Sequence, residues 1–447
     1  MKYQNGLAKR AALLVVFILT YSCIPQEIHA SLFSFKQSSS QSNSNKVTTS
    51  GKNGQDYHLT PDQKAYFDQL FKETWACLSE LFEPQTGIPY DSTAKQPVTS
   101  TSNVGLYLAS VAVAYKTGLI SKEEGLKKIQ TAFESLDKVR KWRGFPRPWF
   151  RVKNLEPAFG NEFSYGSHTA NLLGGLTLAK IIFPELEGKI EAFLAGMSYK
   201  DLYDKDTGWL KGGYNMSQNN FAVFQSWGRW YYKFFASDTR LLSFYGIARD
   251  AFPLDHWKAL VRTEWRKDGY SLLTSGYEEG GLFTYYMSGL FLDERKLMMG
   301  KYQRDYASVQ MKHAEKIGAP VWGWSSCETP KGKYLGYGEL RDEIVAPYAS
   351  ILAVIYFPQD VYKNLQALER LGARKPFLMN GKEFLWGFHD SINWHDNTLA
   401  KNALVPNQAM IFLSLANFLH HGIVWTTFET DTHVQKGLAK IRTLESS

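Results

Sequence analysis

The sequence predicts an all-α protein in which helix pairs close into a ring, an α/α toroid. Two observations predict it. Helix-start signals recur along most of the chain, each followed by apolar residues at three- and four-residue spacing. The connections between them are rich in Gly, Trp and Tyr, which a ring would gather at one end. A helical solenoid is the competing architecture, but its fixed repeat of about 34–47 residues is not visible.

The first thirty residues have the pattern of an export signal. Basic residues precede the apolar run 11–21, which is too short to span a bilayer comfortably. We interpret residues 1–30 as a signal peptide cleaved after Ala30. Cys23 follows the apolar run directly, so it offers an alternative, lipid-anchored start. The protein is therefore expected to be exported, either periplasmic or extracellular, with membrane contact only through the signal or a lipid on Cys23.

The next segment separates the signal from the folded part. Residues 31–57 are rich in Ser, Gln and Asn and nearly lack apolar side chains. Such a composition cannot bury a core, which predicts a disordered tether. Residues 58–447 then form the predicted toroidal domain.

The first three helices carry the clearest signals. Thr60 to Gln63 reads as a capping box with Pro in the first turn, and apolar residues recur on one face over 67–81. The segment 103–118 is apolar nearly all round, which predicts a buried helix. A second capping signal at 121–124 opens the next helix. Further helices are predicted near 168–183, 189–203, 219–235, 238–250, 254–264, 281–295, 302–317, 346–356, 359–370, 406–421 and 432–444.

Composition narrows the function. Aromatic residues make up 15% of the chain, with 13 Trp and 25 Tyr, and such amphipathic rings suit the stacking of sugars as well as a core. The formal net charge is +8, but the basic residues are dispersed, so no nucleic-acid partner is expected. No Cys/His spacing resembles a metal site, and no cofactor is predicted. Cys77 and Cys327 form either one disulfide or two separate buried thiols.

Hydrolysis of a glycosidic bond usually needs two carboxyl groups, one protonating the leaving oxygen and one activating water or attacking directly. The aromatic connections carry many acids, most of which must be surface or capping residues. These loop acids are Asp91, Asp204, Asp206, Asp238, Glu278, Glu279, Glu328, Glu339, Asp342, Glu343, Asp390 and Asp396.

Several stretches, in order, resemble the bacterial glycoamylase-like family. They are TSTSNVGLYLASVAVAYKTGLISKEEGLKKI, SDTRLLSFYGIARDAFPLDHW, GGLFTYYMSGLF, WGWSSCETPKGKYLGYG with DEIVAPYASILA, GFHDSIN and NQAMIFLSLANFLHHGIVW. The resemblance covers roughly residues 60–443. The family includes endo-β-1,2-glucanases and the glycoamylase-like parts of cyclic glucan synthases, and it is built as an (α/α)6 barrel.

The resemblance implies site residues. Asp238 falls where the family carries an acid near its active centre, and Arg240 matches the arginine that would orient this acid. Asp390, in GFHD, matches the family aspartate in place and type, which makes it the expected base. Asp238 and Asp390 are therefore the predicted catalytic pair.

Three positions depart from the family pattern. Thr284 stands where the family usually has Glu, His168 where many members have Asp, and Ser326 where transglycosylating members have an acid. Glu278, Glu279 and Glu328 are neighbouring acids that would substitute. His168 is either a sugar hydrogen-bonder or a buried structural histidine.

Four tryptophans in the aromatic connections are predicted to include positions that stack on sugar, with core packing as the alternative for each. They are Trp209, Trp322, Trp324 and Trp386.

The sequence thus favours an exported glycoside hydrolase that acts on a β-glucan, with β-1,2-glucan as the sharpest version and inversion as the expected mechanism. The alternative is a catalytically silent carbohydrate-binding protein on the same scaffold, favoured by the neutral residues at Thr284 and His168. A helical scaffold protein is a third hypothesis, which leaves the aromatic loops unexplained.

Overall fold

The computed structural model describes most of the chain from Leu59 onwards. The described residues are 59–159, 162–164, 166–215, 220–221, 223–224, 228–229, 231–276, 281–336, 339–379 and 381–446. The predicted signal peptide and the tether, up to residue 57, lie outside them.

Fourteen α-helices account for nearly half of the described residues. They are α1 Pro61–Glu80, α2 Thr101–Lys116, α3 Lys122–Lys138, α4 Gly166–Ile182, α5 Glu187–Ala195, α6 Arg240–Ala248, α7 Asp255–Ala259, α8 Gly281–Tyr286, α9 Met299–Ile317, α10 Pro347–Leu352, α11 Pro358–Arg370, α12 Val405–Leu419, α13 Ile423–Phe428 and α14 Thr432–Ser446.

Short strands, each of two to four described residues, lie in the connections. They are β1 Val98–Ser100, β2 Lys141–Trp142, β3 Phe145–Pro146, β4 Trp149–Arg151, β5 Glu162–Ser164, β6 Leu210–Lys211, β7 Gly213–Asn215, β8 Asn220–Phe221, β9 Val223–Phe224, β10 Gly228–Arg229, β11 Tyr231–Tyr232, β12 Glu264–Lys267, β13 Tyr270–Leu273, β14 Cys327–Glu328, β15 Tyr334–Leu335, β16 Ile344–Val345, β17 Phe377–Met379, β18 Lys382–Phe384, β19 Ile392–Asn393 and β20 Thr398–Leu399. They pair antiparallel in twos and threes, as in β1 with β4, β12 with β13, and β16 with β19 and β20.

Six helices contact one another around a closed ring. Direct helix contacts join α2 to α4, α4 to α6, α8 to α10, α10 to α12, and α12 back to α2. The remaining step runs from α6 to α8, where Arg240 Nη2 donates to the Tyr285 carbonyl over 3.0 Å. Helices α1, α3, α5, α14, α9 and α11 pack mainly against the ring helices α12, α2, α4, α6, α8 and α10, respectively. The predicted helical class is therefore confirmed.

The helix α2 is buried on every side, as its apolar sequence predicts. All residues from Thr101 to Ala114 are buried, and the Ser100 hydroxyl caps the helix by accepting from the Asn103 backbone N–H over 3.2 Å. The capping box at the start of α1 is also present, because Thr60 and Gln63 each accept a hydrogen bond from the other's backbone N–H.

Two glycines allow α2 and α4 to pack at backbone distance. A Cβ atom on Gly175 would lie 1.9 Å from the Gly105 carbonyl oxygen, and a Cβ on Gly105 would lie 2.2 Å from the Asn171 carbonyl oxygen. Both distances are far inside van der Waals contact with backbone that cannot swing away. Only glycine at these positions permits this helix pair.

The helix predicted over 219–235 is wrong. The described residues there form β8 to β11, and Tyr231 and Tyr232 pair with Lys211 and Leu210. The segment NNFAVF…GRWYYKFF is rich in aromatic residues, which favour strands, and it lacks a helix-start signal. Helix α8 also ends at Tyr286, well before the predicted end at 295.

None of the helices in the described part of the chain combines the length and apolar character needed to cross a membrane.

We expect Gly175→Ala to lower the free energy of unfolding by at least about 1–3 kcal/mol, the usual cost of overpacking a core. The added methyl group must push α2 away from α4. The measurement is urea unfolding followed by circular dichroism.

Gly188→Ala is the matched control. A Cβ on Gly188, which is exposed in α5, meets nothing within 4 Å, so this substitution should stabilise the helix by about 0.5–1 kcal/mol. Equal stability of the two variants would contradict the close packing of α2 on α4.

Candidate active site

The connections that enter the ring helices meet at one end of the ring. The Val405 N–H at the start of α12 donates to the Asp91 carbonyl over 2.8 Å, ahead of α2. The Thr101 hydroxyl at the start of α2 lies 3.5 Å from the His168 carbonyl at the start of α4. The N-terminal ends of these three helices are therefore adjacent, as a site built from the aromatic connections requires.

Asp390 is held in the middle of this region. Its side chain is buried and accepts three hydrogen bonds, from the Glu328 N–H at 2.6 Å, the Asn407 amide at 2.8 Å and the Leu404 N–H at 3.2 Å. Burial raises its pKa to about 7, although the three donors oppose the shift. The carboxyl group therefore changes protonation state near neutral pH, as a general acid or base should.

Glu328 lies against Asp390 on the short strand β14. Its half-buried carboxylate accepts from the Asn402 amide at 3.0 and 3.1 Å, and its backbone carbonyl accepts from the Ser391 hydroxyl. Burial raises its pKa. The segments WGWSSCE and GFHDSIN are thus in direct contact, which confirms the predicted convergence of these two connections.

Asp91 supplies a third carboxylate. It is one of the loop acids in the sequence but was not among the predicted site residues. The Asn103 amide on α2 donates to Asp91 over 2.7 Å. Burial, with a smaller contribution from the charge of Glu328, raises the Asp91 pKa to about 6. The available signal was Asn103 itself, a polar residue in the first turn of an otherwise apolar helix.

The charge of Glu328 acts on both of the other carboxyl groups, and burial raises the pKa of all three. Like charges in a medium of low polarity disfavour simultaneous ionisation, so Asp91, Glu328 and Asp390 compete for protons. Glu328 raises the pKa of both neighbours. Such a cluster can release a proton to one face of a ligand and accept one from another.

Asp238 lies half-buried just before α6. The Ser237 hydroxyl donates to its Oδ1 over 3.3 Å. Asp238, like His168, lies at the start of a ring helix. The pairing of Asp238 with Asp390 in catalysis stays a prediction.

Arg240 serves the scaffold. Its guanidinium group makes an ion pair with Glu294 in which both N···O distances are 2.7 Å, and its other donors bind the carbonyls of Phe235, Ser237 and Tyr285. All five N–H donors are thereby used, which leaves none for a sugar. Arg240 acts on Asp238 only by fixing the backbone at Ser237.

We expect Arg240→Met to lower the free energy of unfolding by about 3–5 kcal/mol, because it leaves the Glu294 carboxylate buried without its partner. Arg143→Met is the control, since Arg143 pairs with Asp201 while its side chain is 57% exposed, and exposed pairs contribute about 0–1 kcal/mol. Chemical denaturation of both variants gives the comparison. A cost below 1 kcal/mol for Arg240→Met would refute the structural role.

His168 lies at the start of α4 with its ring half-buried. The ring edge meets Trp149, with centroids 5.3 Å apart and planes at 77°. Burial lowers its pKa to about 4, so the imidazole is neutral at physiological pH.

Three of the four predicted stacking tryptophans are packed inside the protein. Trp322, Trp324 and Trp386 are each no more than 5% exposed. The Trp324 indole N–H donates to the Asp342 carbonyl, and Trp386 stacks on Phe384 at 4.6 Å. Core packing, the alternative raised for each, describes these three.

Trp209 is half-buried, and its indole N–H donates to the Ala259 carbonyl over 2.9 Å. This contact places Trp209 beside the end of α7.

The remaining predicted site residues divide into two groups. Glu278 and Glu279 lie outside the described residues. Thr284 is buried in α8, where its hydroxyl donates to the Gly281 carbonyl. It therefore caps its own turn in place of the acid usual in the family.

A family model described as "Putative glucoamylase" matches residues 231–432. The cyclic β-(1,2)-glucan synthase NdvB of Rhizobium meliloti (strain 1021) is 25% identical over 228 residues, which are 46% of this chain and only 8% of that protein.

Two solved structures share the fold over most of this chain. An endo-β-1,2-glucanase from Chitinophaga pinensis, in complex with sophorotriose and glucose, is 16% identical with a TM-score of 0.73, covering 86% of this chain and 98% of that one. A β-1,2-glucanase from Parabacteroides distasonis is 18% identical with a TM-score of 0.71, covering 87% of this chain and 61% of that one. The resemblance to the glycoamylase-like family is confirmed.

The residues that match the family model include only some of the candidate site residues. Residues 231–432 contain Asp238, Glu328 and Asp390 but neither Asp91 nor His168. The latter two come from the N-terminal part of the ring, where the structure alone shows their place.

The described residues contain neither a disulfide bond nor a cluster of metal-binding side chains. Cys77 and Cys327 are separate buried thiols, which decides between the two predicted alternatives. Within the same residues no group of three or more His, Cys, Asp or Glu side chains is arranged to hold a metal ion.

Proposed function

We propose that this protein is a glycoside hydrolase that cleaves β-1,2-glucan at the carboxyl cluster. The observation that carries the proposal is Asp390, a buried carboxyl group with a pKa of about 7 beside Glu328 at the loop-lined end of the ring. The shared fold supports the substrate class, because one similar structure is an endo-β-1,2-glucanase that holds sophorotriose and glucose.

The scaffold of this activity is an (α/α)6 barrel. In this proposal α2, α4, α6, α8, α10 and α12 form the inner ring, and the contacts between them support it. Residues 58–447 are one catalytic domain, preceded by the export signal 1–30 and the tether 31–57, so the enzyme works in the periplasm or outside the cell.

Asp390 is the general base. Its Oδ1 accepts from both Leu404 and Asn407, whereas its Oδ2 accepts only from Glu328 N–H. Since a carboxylate oxygen has two acceptor directions, Oδ2 keeps one for a water molecule or a sugar hydroxyl.

Asp238 is the general acid in an inverting mechanism. Water attacks the anomeric carbon as Asp390 takes its proton, directly or through a sugar hydroxyl. The bond from the anomeric carbon to the glycosidic oxygen breaks, and Asp238 protonates the departing oxygen. Asp91 and Glu328 hold the site's remaining negative charge and accept hydrogen bonds from the sugar. A carbohydrate-binding protein without turnover is the outcome if no substrate is cleaved.

The substrate and the two acids are tested together. Purified protein is incubated with defined β-1,2-, β-1,3-, β-1,4- and α-1,4-glucans, and reducing ends are counted. We expect cleavage of β-1,2-glucan, with Asp390→Asn and Asp238→Asn each lowering kcat by at least about 100-fold because an acid–base group is lost.

Asp396→Asn is the matched control, since Asp396 is an exposed acid on the same connection that accepts only from Thr398. Full activity of Asp238→Asn with loss in Glu328→Gln would transfer the acid role to Glu328. Absence of cleavage by the wild type, with glucan bound, would leave the binding protein.

The pH dependence of kcat/KM tests Asp390 as the base. A base acts only when ionised, and the pKa of Asp390 is about 7, so kcat/KM should fall about tenfold per pH unit below 7 and level off above it. Asn407→Ala removes a donor that stabilises the carboxylate and should move this limb to higher pH. Glu328→Gln removes a negative neighbour and should move it lower. A limb near pH 4 in the wild type would exclude Asp390 as the base.

A further inference from the structure

Trp149 occupies a place at the site that none of the predicted tryptophans has. It lies on β4, which pairs with β1 so that Trp149 is opposite Ser100, the residue that caps α2. The indole is half-buried, whereas the three packed tryptophans are at most 5% exposed. Part of the indole therefore remains accessible next to the ring end that carries the carboxyl groups, while another part contacts Phe159 with ring centroids 6.0 Å apart.

His168 stands at the edge of this indole with unused hydrogen-bonding capacity. In the described part of the chain, its Nδ1 is buried without a hydrogen-bond partner. The neutral imidazole has one N–H donor and one acceptor nitrogen. A neutral ring of this kind suits a hydroxyl group of an uncharged sugar, because Nε2, which is not among the buried atoms, can donate to it or accept from it according to the tautomer.

Contacts through α2 link this pair to the carboxyl cluster. The Thr101 N–H donates to the Pro148 carbonyl over 2.9 Å, and the Thr101 hydroxyl reaches the His168 carbonyl. Two residues further along α2, Asn103 holds Asp91 at 2.7 Å. The groups that position Trp149 and His168 therefore lie in the same helical turn as the group that positions Asp91.

We propose that Trp149 and His168 form a glucosyl-binding subsite, in which the apolar face of one glucose unit stacks on the indole and one of its hydroxyl groups bonds to the imidazole. This subsite rests on the proposed function, because it selects a β-1,2-linked glucan next to the carboxyl groups. It also accounts for the histidine in place of the family's aspartate, since a neutral group binds the sugar without adding to the negative charge.

The test measures binding separately from turnover. Sophorose to sophoropentaose are titrated into Asp390→Asn protein by calorimetry, with Trp149→Ala, Trp149→Phe and His168→Ala added singly. We expect Trp149→Ala and His168→Ala each to raise Kd by about tenfold, and Trp149→Phe, which keeps a ring, to raise it less. Tryptophan fluorescence should change on sugar addition and lose most of that change in Trp149→Phe.

Trp394→Phe is the matched control. Trp394 is also a half-buried indole beside a histidine, stacked on His395 at 3.8 Å, but its N–H is already bonded to the Asp342 carbonyl. We expect its Kd and fluorescence response to equal those of the parent. Thermal melting of every variant separates lost binding from lost folding, and the ring-preserving Trp149→Phe keeps the fluorescence test decisive if Trp149→Ala unfolds.

The outcomes separate the subsite from the reaction. Unchanged Kd and fluorescence in folded Trp149→Phe and His168→Ala would overturn the subsite, even if the wild type cleaves β-1,2-glucan. Binding that depends on Trp149 in a protein that cleaves no glucan would retain the subsite and overturn the hydrolase.

Discussion

The backbone contact between α2 and α4 is the constraint on which the site depends. A methyl group at Gly175 would lie 1.9 Å from the Gly105 carbonyl, so the two helices approach as closely as backbones can. That contact fixes how their first turns lie beside each other. Asp91 is held by the first turn of α2 and His168 begins α4, so their relative placement follows from two residues without side chains.

The buried carboxylate of the scaffold and the carboxyl groups of the site have different kinds of hydrogen-bond donor. Arg240 and Glu294 neutralise each other in the core, where side-chain exposure is 0% and 2%, and they join α6 to the segment after α8. At the site end, Asp390 and Glu328 have amide donors instead of a cation, namely Asn407, Asn402 and backbone N–H groups. Amides stabilise a carboxylate less than an arginine would, so the proton affinity of Asp390 stays high enough for acid–base chemistry.

The sequence was informative where local patterns decide the structure. The apolar run of α2, the caps at Thr60 and Ser121, and the meeting of WGWSSCE with GFHDSIN were predictable from spacing and order. The strands around Tyr231 were wrongly predicted as a helix, although their aromatic residues favour strands and no helix-start signal precedes them. The tryptophans could not be sorted either, since an indole has the same local signature whether it packs on Phe384 or faces a ligand. Asp91 was obscured because its partner Asn103 belongs to another element, and only tertiary packing brings them together.

The neutral residues at positions 168, 284 and 326 then have a common physical reason. The charge of Glu328 already raises the pKa of both Asp91 and Asp390, and the pKa of Asp390 is about 7. A further carboxylate at Ser326, two residues before Glu328, would raise that pKa again and leave Asp390 protonated at neutral pH, unable to act as a base. Thr284 uses its hydroxyl within its own helical turn, and His168 is neutral above about pH 4. The neutral side chains at these three positions therefore add no negative charge beside the carboxyl groups of Asp91, Glu328 and Asp390.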